Sequence, residues 1–337
     1  MFNFSKNIRR LLKRHAPIAS NDKPQNETKK DPSDNATPLT EAPAIKETAV
    51  IEGMLLHTTK GVYKLQAFGE GGICQVFKGI PVGIEPGETA SKALLIKRIH
   101  PKWHANDQVK TQFKREISIV SDFIHPLLPS YMGRGTLEGQ DYLAYAFVEG
   151  FTLIHYLRNK ALYPREKISA RAPYVLGQLL EQLHYLHSQM STVIHGDISI
   201  ENIIYGKDNK THLIDFGCAY RKSKVTDHNY HWLGKPSYVT PEQARGEVWA
   251  EQSDLYQAGI VFYELVTGQR WNQGKTSREK MLFSANATSP KNNFLHQWVD
   301  LSLSELLARM LAANPHERIE SAKDCLTQLS PFINRIK

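Results

Sequence analysis

Hydrophobic and polar positions divide this chain into stretches of different character. In residues 1–15 apolar and basic side chains interleave, and on a helix Phe4, Ile8, Leu11 and Leu12 share one face with the charges opposite. Residues 16–50 carry Asn, Asp, Lys, Pro, Thr and Ala with few large apolar side chains, which predicts a disordered linker. From about Gly61 the pattern turns strand-like. Residues 64–68 run into a glycine-rich stretch, and residues 93–99 form a second apolar run that encloses Lys97. A helix is expected over residues 112–120, with Phe113, Ile117 and Val120 on one face. Leu176, Leu179, Leu180, Leu183 and Leu186 then recur at helical spacing up to His187 and read as core. Two short apolar runs, Val193–Ile194 and the pair Leu213 and Ile214, read as strands, each with an acid just beyond: Asp197 and Asp215.

Composition bounds the class. At 337 residues and 41% hydrophobic, the chain can bury the core of one large domain or of two lobes. The net charge of +8 permits an acidic partner without naming one, and five of those charges (Lys6, Arg9, Arg10, Lys13, Arg14) fall in residues 1–15. The remainder is close to balanced, so no nucleic acid partner is indicated. The basic segment suits peripheral contact with an anionic membrane surface; a disordered tail without special role is the other reading. No continuous apolar core follows the charges, so no cleaved signal peptide is expected. No run approaches the roughly 20 apolar residues of a membrane-spanning helix. Cys74, Cys218 and Cys325, odd in number and far apart, suit a reducing cytoplasmic setting rather than disulfides or a zinc site.

The chemistry concentrates around Asp197, Asn202 and Asp215: hard oxygen ligands for magnesium, plus one carboxylate able to accept a hydroxyl proton. The order His195-x-Asp197, then Asn202 five positions on, then Asp215-Phe216-Gly217, resembles the catalytic and magnesium loops of protein kinases. That resemblance covers about residues 55–333. It implies an α+β, two-lobed fold: a small β-rich N-lobe with one helix over about 55–146, and a larger helical C-lobe over about 147–333. ATP and Mg2+ are expected in the cleft, with transfer of the γ-phosphate to a serine or threonine of a protein substrate. Gly69, Gly71 and Gly72 leave backbone N–H groups free to approach phosphates. Cys74 stands at the third glycine position, a style similar to bacterial serine/threonine kinases. By the same resemblance Val76 covers the adenine and Ile204 floors it, while Ala146 and Val148 belong to the hinge. Ala146 replaces a usual glutamate, Leu95 replaces a usual alanine on the roof, and Tyr145 at the gatekeeper position restricts the rear pocket. Lys97 holds the α- and β-phosphates, Glu116 orients it, Asp197 is the base, and Asn202 with Asp215 holds the metal. Asp254 is expected to bond the catalytic-loop backbone, and Arg318 to pair with Glu242.

Three departures qualify the resemblance. Gly196 stands where an arginine commonly receives an activation-loop phosphate, so switching by such a phosphate is not expected. Ser199 replaces the lysine that steadies the transferring phosphate, and Ile200 the proline after it. Lys235 stands where a threonine belongs in the segment ending Pro241-Glu242. Lys235 is therefore a candidate catalytic cation that compensates for Ser199; the alternative is a lysine facing solvent. Ser223, Thr226 and Thr240 are candidate autophosphorylation sites. A pseudokinase scaffold and a small-molecule kinase stand as other readings, the first drawn from Ser199, Lys235 and Leu95, the second from Gly196. Oligomeric state is not legible.

Overall fold

Alternating burial along successive short runs builds an antiparallel sheet at the start of the ordered chain. The structure is a computed structural model that describes residues 51–83, 92–222 and 234–333. The basic segment 1–15, the linker 16–50, Ser223 and Thr226 lie outside the described residues. β1 (Leu55–Thr58), β2 (Gly61–Glu70), β3 (Cys74–Val82), β4 (Leu94–Ile99), β5 (Tyr131–Leu137) and β6 (Gln140–Ala146) form the sheet in the order β1-β2-β3-β4-β6-β5. Within β4, Leu94 and Ile96 are buried, which turns Leu95 and Lys97 to the opposite face. The register pairs Lys97 with Val76 on one side and with Leu143 on the other. One helix, α1 (Asp107–Val120), packs beside the sheet. It begins five residues before the expected start because Asn106 caps it, its side chain accepting from the N–H groups of Gln108 and Val109. Phe113, Ile117 and Val120 are buried on one face, and Glu116 is buried with them.

After residues 147–149 the chain enters β7 (Gly150–Thr152), α2 (Leu153–Arg158) and the long α3 (Arg165–His187). Next come β8 (Val193–Ile194), β9 (Ile203–Gly206), β10 (Thr211–Leu213) and β11 (Tyr220–Arg221), then α4 (Pro241–Arg245), α5 (Glu251–Thr267), α6 (Ser277–Ala285), α7 (Leu301–Met310) and α8 (Ala322–Ile333). A three-stranded sheet runs β10-β9-β7, and β8 pairs with β11. Gly150 sits where β7 presses on β9: its φ is +157°, and a Cβ there would run into the carbonyl of Tyr205. All five periodic leucines of α3 are buried, and α3 packs against α5 and α8. Each such leucine contributes roughly 1.5–3 kcal/mol by leaving water. The result is the expected α+β architecture, a β-rich N-lobe with one helix and a larger helical C-lobe. Among the described residues no helix is long and apolar enough to cross a membrane.

Thr240 corrects one expectation. It is fully buried, and its hydroxyl caps α4 by accepting from the Gln243 N–H. A group so enclosed cannot enter another active site as a phosphate acceptor without unfolding that cap.

Candidate active site

The loop after β8 is fastened to α5. Asp254, wholly buried, accepts from the backbone N–H groups of His195 (2.9 Å) and Gly196 (2.8 Å). Gln257, one helical turn on, accepts from the Ile198 N–H at 2.8 Å and donates to the Gly196 carbonyl at 3.1 Å. His195 Nδ1 accepts from the Asp197 N–H, so Nε2 carries the proton and donates to the Ile214 carbonyl at 3.2 Å. Burial holds the His195 pKa below its ordinary value, which keeps the ring neutral. The backbone of Asp197 is thereby fixed from two directions before any ligand arrives.

Asn202 donates through Nδ2 to the Asp197 carbonyl at 2.8 Å and to Asp197 Oδ2 at 2.9 Å. Lys235 reaches the same carboxylate twice, its N–H 2.8 Å from Oδ1 and its Nζ 2.9 Å from Oδ2. Ser199 is fully buried, and its Oγ has no partner among the described residues.

A second cluster faces this one. Lys97 Nζ lies 2.8 and 3.0 Å from the Glu116 carboxylate oxygens and 2.7 Å from Asp215 Oδ1. Burial opposes the charge on Lys97, but Asp215 and Glu116 carry its pKa well above the ordinary value. Lys97, first of all, holds Asp215 far below the usual carboxylate range, with help from Lys235 and the Gly217 N–H. Burial raises the pKa of Glu116 against the pull of Lys97, and the Tyr145 hydroxyl donates to Glu116 Oε1 at 3.1 Å. Asp215 adopts φ +65°, an uncommon conformation for a residue with a side chain. The two clusters are stitched together where the Ile214 N–H donates to the Asn202 carbonyl at 2.9 Å.

The donor set suits a hard divalent ion. Asn202 commits its amide nitrogen to Asp197, which leaves Oδ1 to offer. Asp215 directs Oδ1 at Lys97, and its half-exposed side chain has Oδ2 to spare. Two protein oxygens fall short of the six or more such an ion takes, so phosphate and water oxygens have to complete the shell.

The remaining expected residues fall on the N-terminal sheet, on the connection that follows it and on β9. Gly69, near the end of β2, and Gly71 and Gly72, in the turn to β3, are exposed, and the turn is closed by a Gly71 N–H bond to the Cys74 carbonyl at 2.8 Å. Val76 adjoins Lys97 in the sheet, Ala146 ends β6 opposite Leu94, and Val148 follows on the connection to β7. Ile204 pairs with Thr152 just past that connection. Cys74 is buried beneath the turn, and burial pushes its thiol up to about 12, leaving it uncharged.

Sequence reading missed four contributors. Gln257 lies three positions beyond Asp254, a spacing that puts both on one helical face and was available as a signal. Gln112 donates to the Gly217 carbonyl at 2.7 Å, tying α1 to the loop that carries Asp215. Phe68, at an irregularity of β2, meets Phe147 edge-on with ring centroids 5.4 Å apart. Trp249 packs on Gly196, and nothing local in the sequence marks it.

A fold of this kind, with a buried lysine–glutamate pair beside two acid-bearing loops, defines the class, and this chain belongs to the protein kinase family. The profile described as "Protein kinase domain" matches residues 63–329. Serine/threonine-protein kinase PrkC of Bacillus subtilis is 29% identical over 77% of this chain and 38% of its own length. Probable serine/threonine-protein kinase CPE1738 of Clostridium perfringens is 27% identical over 79% of this chain and 37% of its own. Serine/threonine-protein kinase PknD of Chlamydia muridarum is 24% identical over 80% of this chain and 31% of its own. The chain thus spans well under half the length of these curated relatives.

Proposed function

We propose that this chain is a serine/threonine protein kinase that transfers the γ-phosphate of ATP to a protein hydroxyl in the presence of magnesium. The observation that carries the reading is the convergence of Lys97, Glu116 and Asp215 at 2.7–3.0 Å, with Asp215 on a loop bonded directly to the one bearing Asp197 and Asn202. In the proposed step the acceptor hydroxyl oxygen bonds to the γ-phosphorus, the bond from that phosphorus to the β-bridging oxygen breaks, and ADP leaves. Asp197 takes the hydroxyl proton. Lys97 holds the α- and β-phosphates, and Glu116 holds Lys97. Asn202 and Asp215 would hold magnesium, which when bound neutralises charge on the phosphate oxygens. Gly69, Gly71 and Gly72 cover the phosphates; Val76 and Ile204 sandwich the adenine, with the backbone at Ala146 and Val148 along its edge. The names of the relatives support serine and threonine as acceptors. A cytoplasmic protein that touches a membrane through residues 1–15 completes the reading.

Ser199 favours a second reading, a nucleotide-binding scaffold, because the catalytic loop itself brings no cation. One assay separates the two. Wild type and Asp215→Ala are incubated with radiolabelled ATP, magnesium and a mixed protein extract. Protein labelling that falls by at least about a hundredfold in the variant supports the kinase; nucleotide binding without labelling supports the scaffold. Labelled small metabolites without labelled protein would overturn both, although the Glu242–Arg318 pair under the acceptor segment speaks for a protein substrate.

A further inference from the structure

Phosphoryl transfer spreads negative charge over the moving group, and a fixed cation beside it speeds the step by orders of magnitude. The catalytic loop lacks that cation: Ser199, two residues past Asp197, is buried and uncharged. We propose that Lys235 is the missing cation, so that the charge which steadies the γ-phosphoryl group reaches the reaction centre from the acceptor segment. This inference rests on the kinase reading above and adds a catalytic residue to it.

Geometry places Lys235 for the task. Its backbone N–H and its ammonium both engage Asp197, at 2.8 and 2.9 Å, so its position is set by the group that receives the acceptor proton. An ammonium has three donors, and the bond to Asp197 Oδ2 uses one, which leaves two for phosphoryl oxygens. The side chain is one-third exposed, open to an incoming ligand rather than sealed. The ammonium therefore lies at hydrogen-bond distance from the expected proton acceptor, with donors left over for a phosphoryl group brought there.

The backbone that carries Lys235 is rigid. Pro236 follows it and opens a single 3-10 turn, Pro236–Tyr238, closed by the Tyr238 N–H on the Lys235 carbonyl at 2.9 Å. Tyr238 is buried, its hydroxyl donating to Glu264 at 2.6 Å. A cation held this way needs little rearrangement during reaction, and that is what makes a fixed charge effective. During transfer the acceptor oxygen–phosphorus bond forms, the bond to the ADP oxygen breaks and the proton passes to Asp197. Lys235 exchanges no proton and offsets the charge on the moving oxygens.

The test uses the full chain with Lys235→Thr, Lys235→Met and the double variant Ser199→Lys with Lys235→Thr. Thermal unfolding verifies that each is folded. Initial rates with labelled ATP should show kcat lower by about a hundredfold in both single variants, with the KM for ATP changed far less. Returning the charge to position 199 should recover at least about tenfold, which no purely structural role for Lys235 predicts. Unchanged kcat in Lys235→Thr overturns the proposal, and the single variants decide alone if the double variant fails to fold. Affinities for ADP and for a non-hydrolysable ATP analogue, both with magnesium, give a second measure. Wild type should prefer the triphosphate and Lys235→Thr should lose that preference; a preference that is absent in wild type or kept in the variant overturns the proposal. If wild type binds nucleotide but transfers nothing, the kinase reading fails by itself, and this binding measure still judges Lys235.

Discussion

Gly196 and Trp249 are paired by shape: Gly196 holds φ +74°, and a Cβ at that position would overlap the indole ring. Trp249 is buried with Ile194 and Tyr220, and the Tyr220 hydroxyl donates to its carbonyl. An aromatic ring thus fills the space that any side chain at position 196 would need. Gly196→Ala should lose about 2–4 kcal/mol of stability, from the left-handed backbone and the overlap together. Urea unfolding measures it. Adding Trp249→Ala should relieve part of the loss, so that the two changes combine to less than their sum; strict additivity would refute the steric account.

Tyr145 belongs to the buried ion-pair cluster. Burial raises its pKa well above the ordinary value, so it stays a donor, and it donates to the buried Glu116. Tyr145→Phe should cost about 1.5 kcal/mol, the usual worth of a hydrogen bond to a charged group. The shift in urea midpoint reads this directly, and an unshifted midpoint would show that Lys97 alone satisfies Glu116.

The pair under the acceptor segment predicts a pH dependence. Burial opposes ionisation of Glu242, yet the Arg318 hydrogen bonds and charge, with the Ser253 hydroxyl, hold its pKa below the ordinary 4.5. A depressed folded pKa means stability fully present above pH 4.5 and lost as pH falls through the folded value. Wild type should therefore lose stability below pH 4.5 more steeply than Glu242→Gln does. Glu116 and Glu264, which burial raises, act in the opposite sense, so the difference between the two proteins is the quantity to follow. Arg318→Ala strands a buried carboxylate and should cost about 3–5 kcal/mol at neutral pH.

Phe68 and Phe147 meet edge-on beside the glycine-rich turn, with Lys78 Nζ 4.2 Å from the Phe147 ring centre. On the proposed function, Phe68→Ala should raise the KM for ATP about three- to tenfold, the range an aromatic contact is worth, and leave kcat alone. Equal KM values for the two proteins would remove Phe68 from the nucleotide site.

Much of this site was readable before folding because its residues come as local motifs with set spacings: His195 to Asn202, Asp215 to Gly217, and Lys97 within an apolar strand. The leucines of α3 were legible for a similar reason, since burial on one helical face writes a period into the sequence. Contacts made by long-range packing left no such mark. Trp249 meets Gly196 across 53 positions, and Gln112 meets Gly217 across 105. The start of α1 was misplaced because a cap is a single side chain, Asn106, rather than a period. Thr240 read as an accessible hydroxyl because sequence carries no measure of enclosure, and its capping role emerged only with α4.

Lys235 grips Asp197 through backbone and side chain alike, so any shift of the stretch around Pro236 carries the charge and the backbone contact away together. With a lysine at position 199 instead, the two could be lost one without the other; here they depart together. On the proposed function, unseating this stretch should leave a protein that still binds nucleotide through Lys97 and Asp215 yet transfers nothing, a coupling carried by one residue.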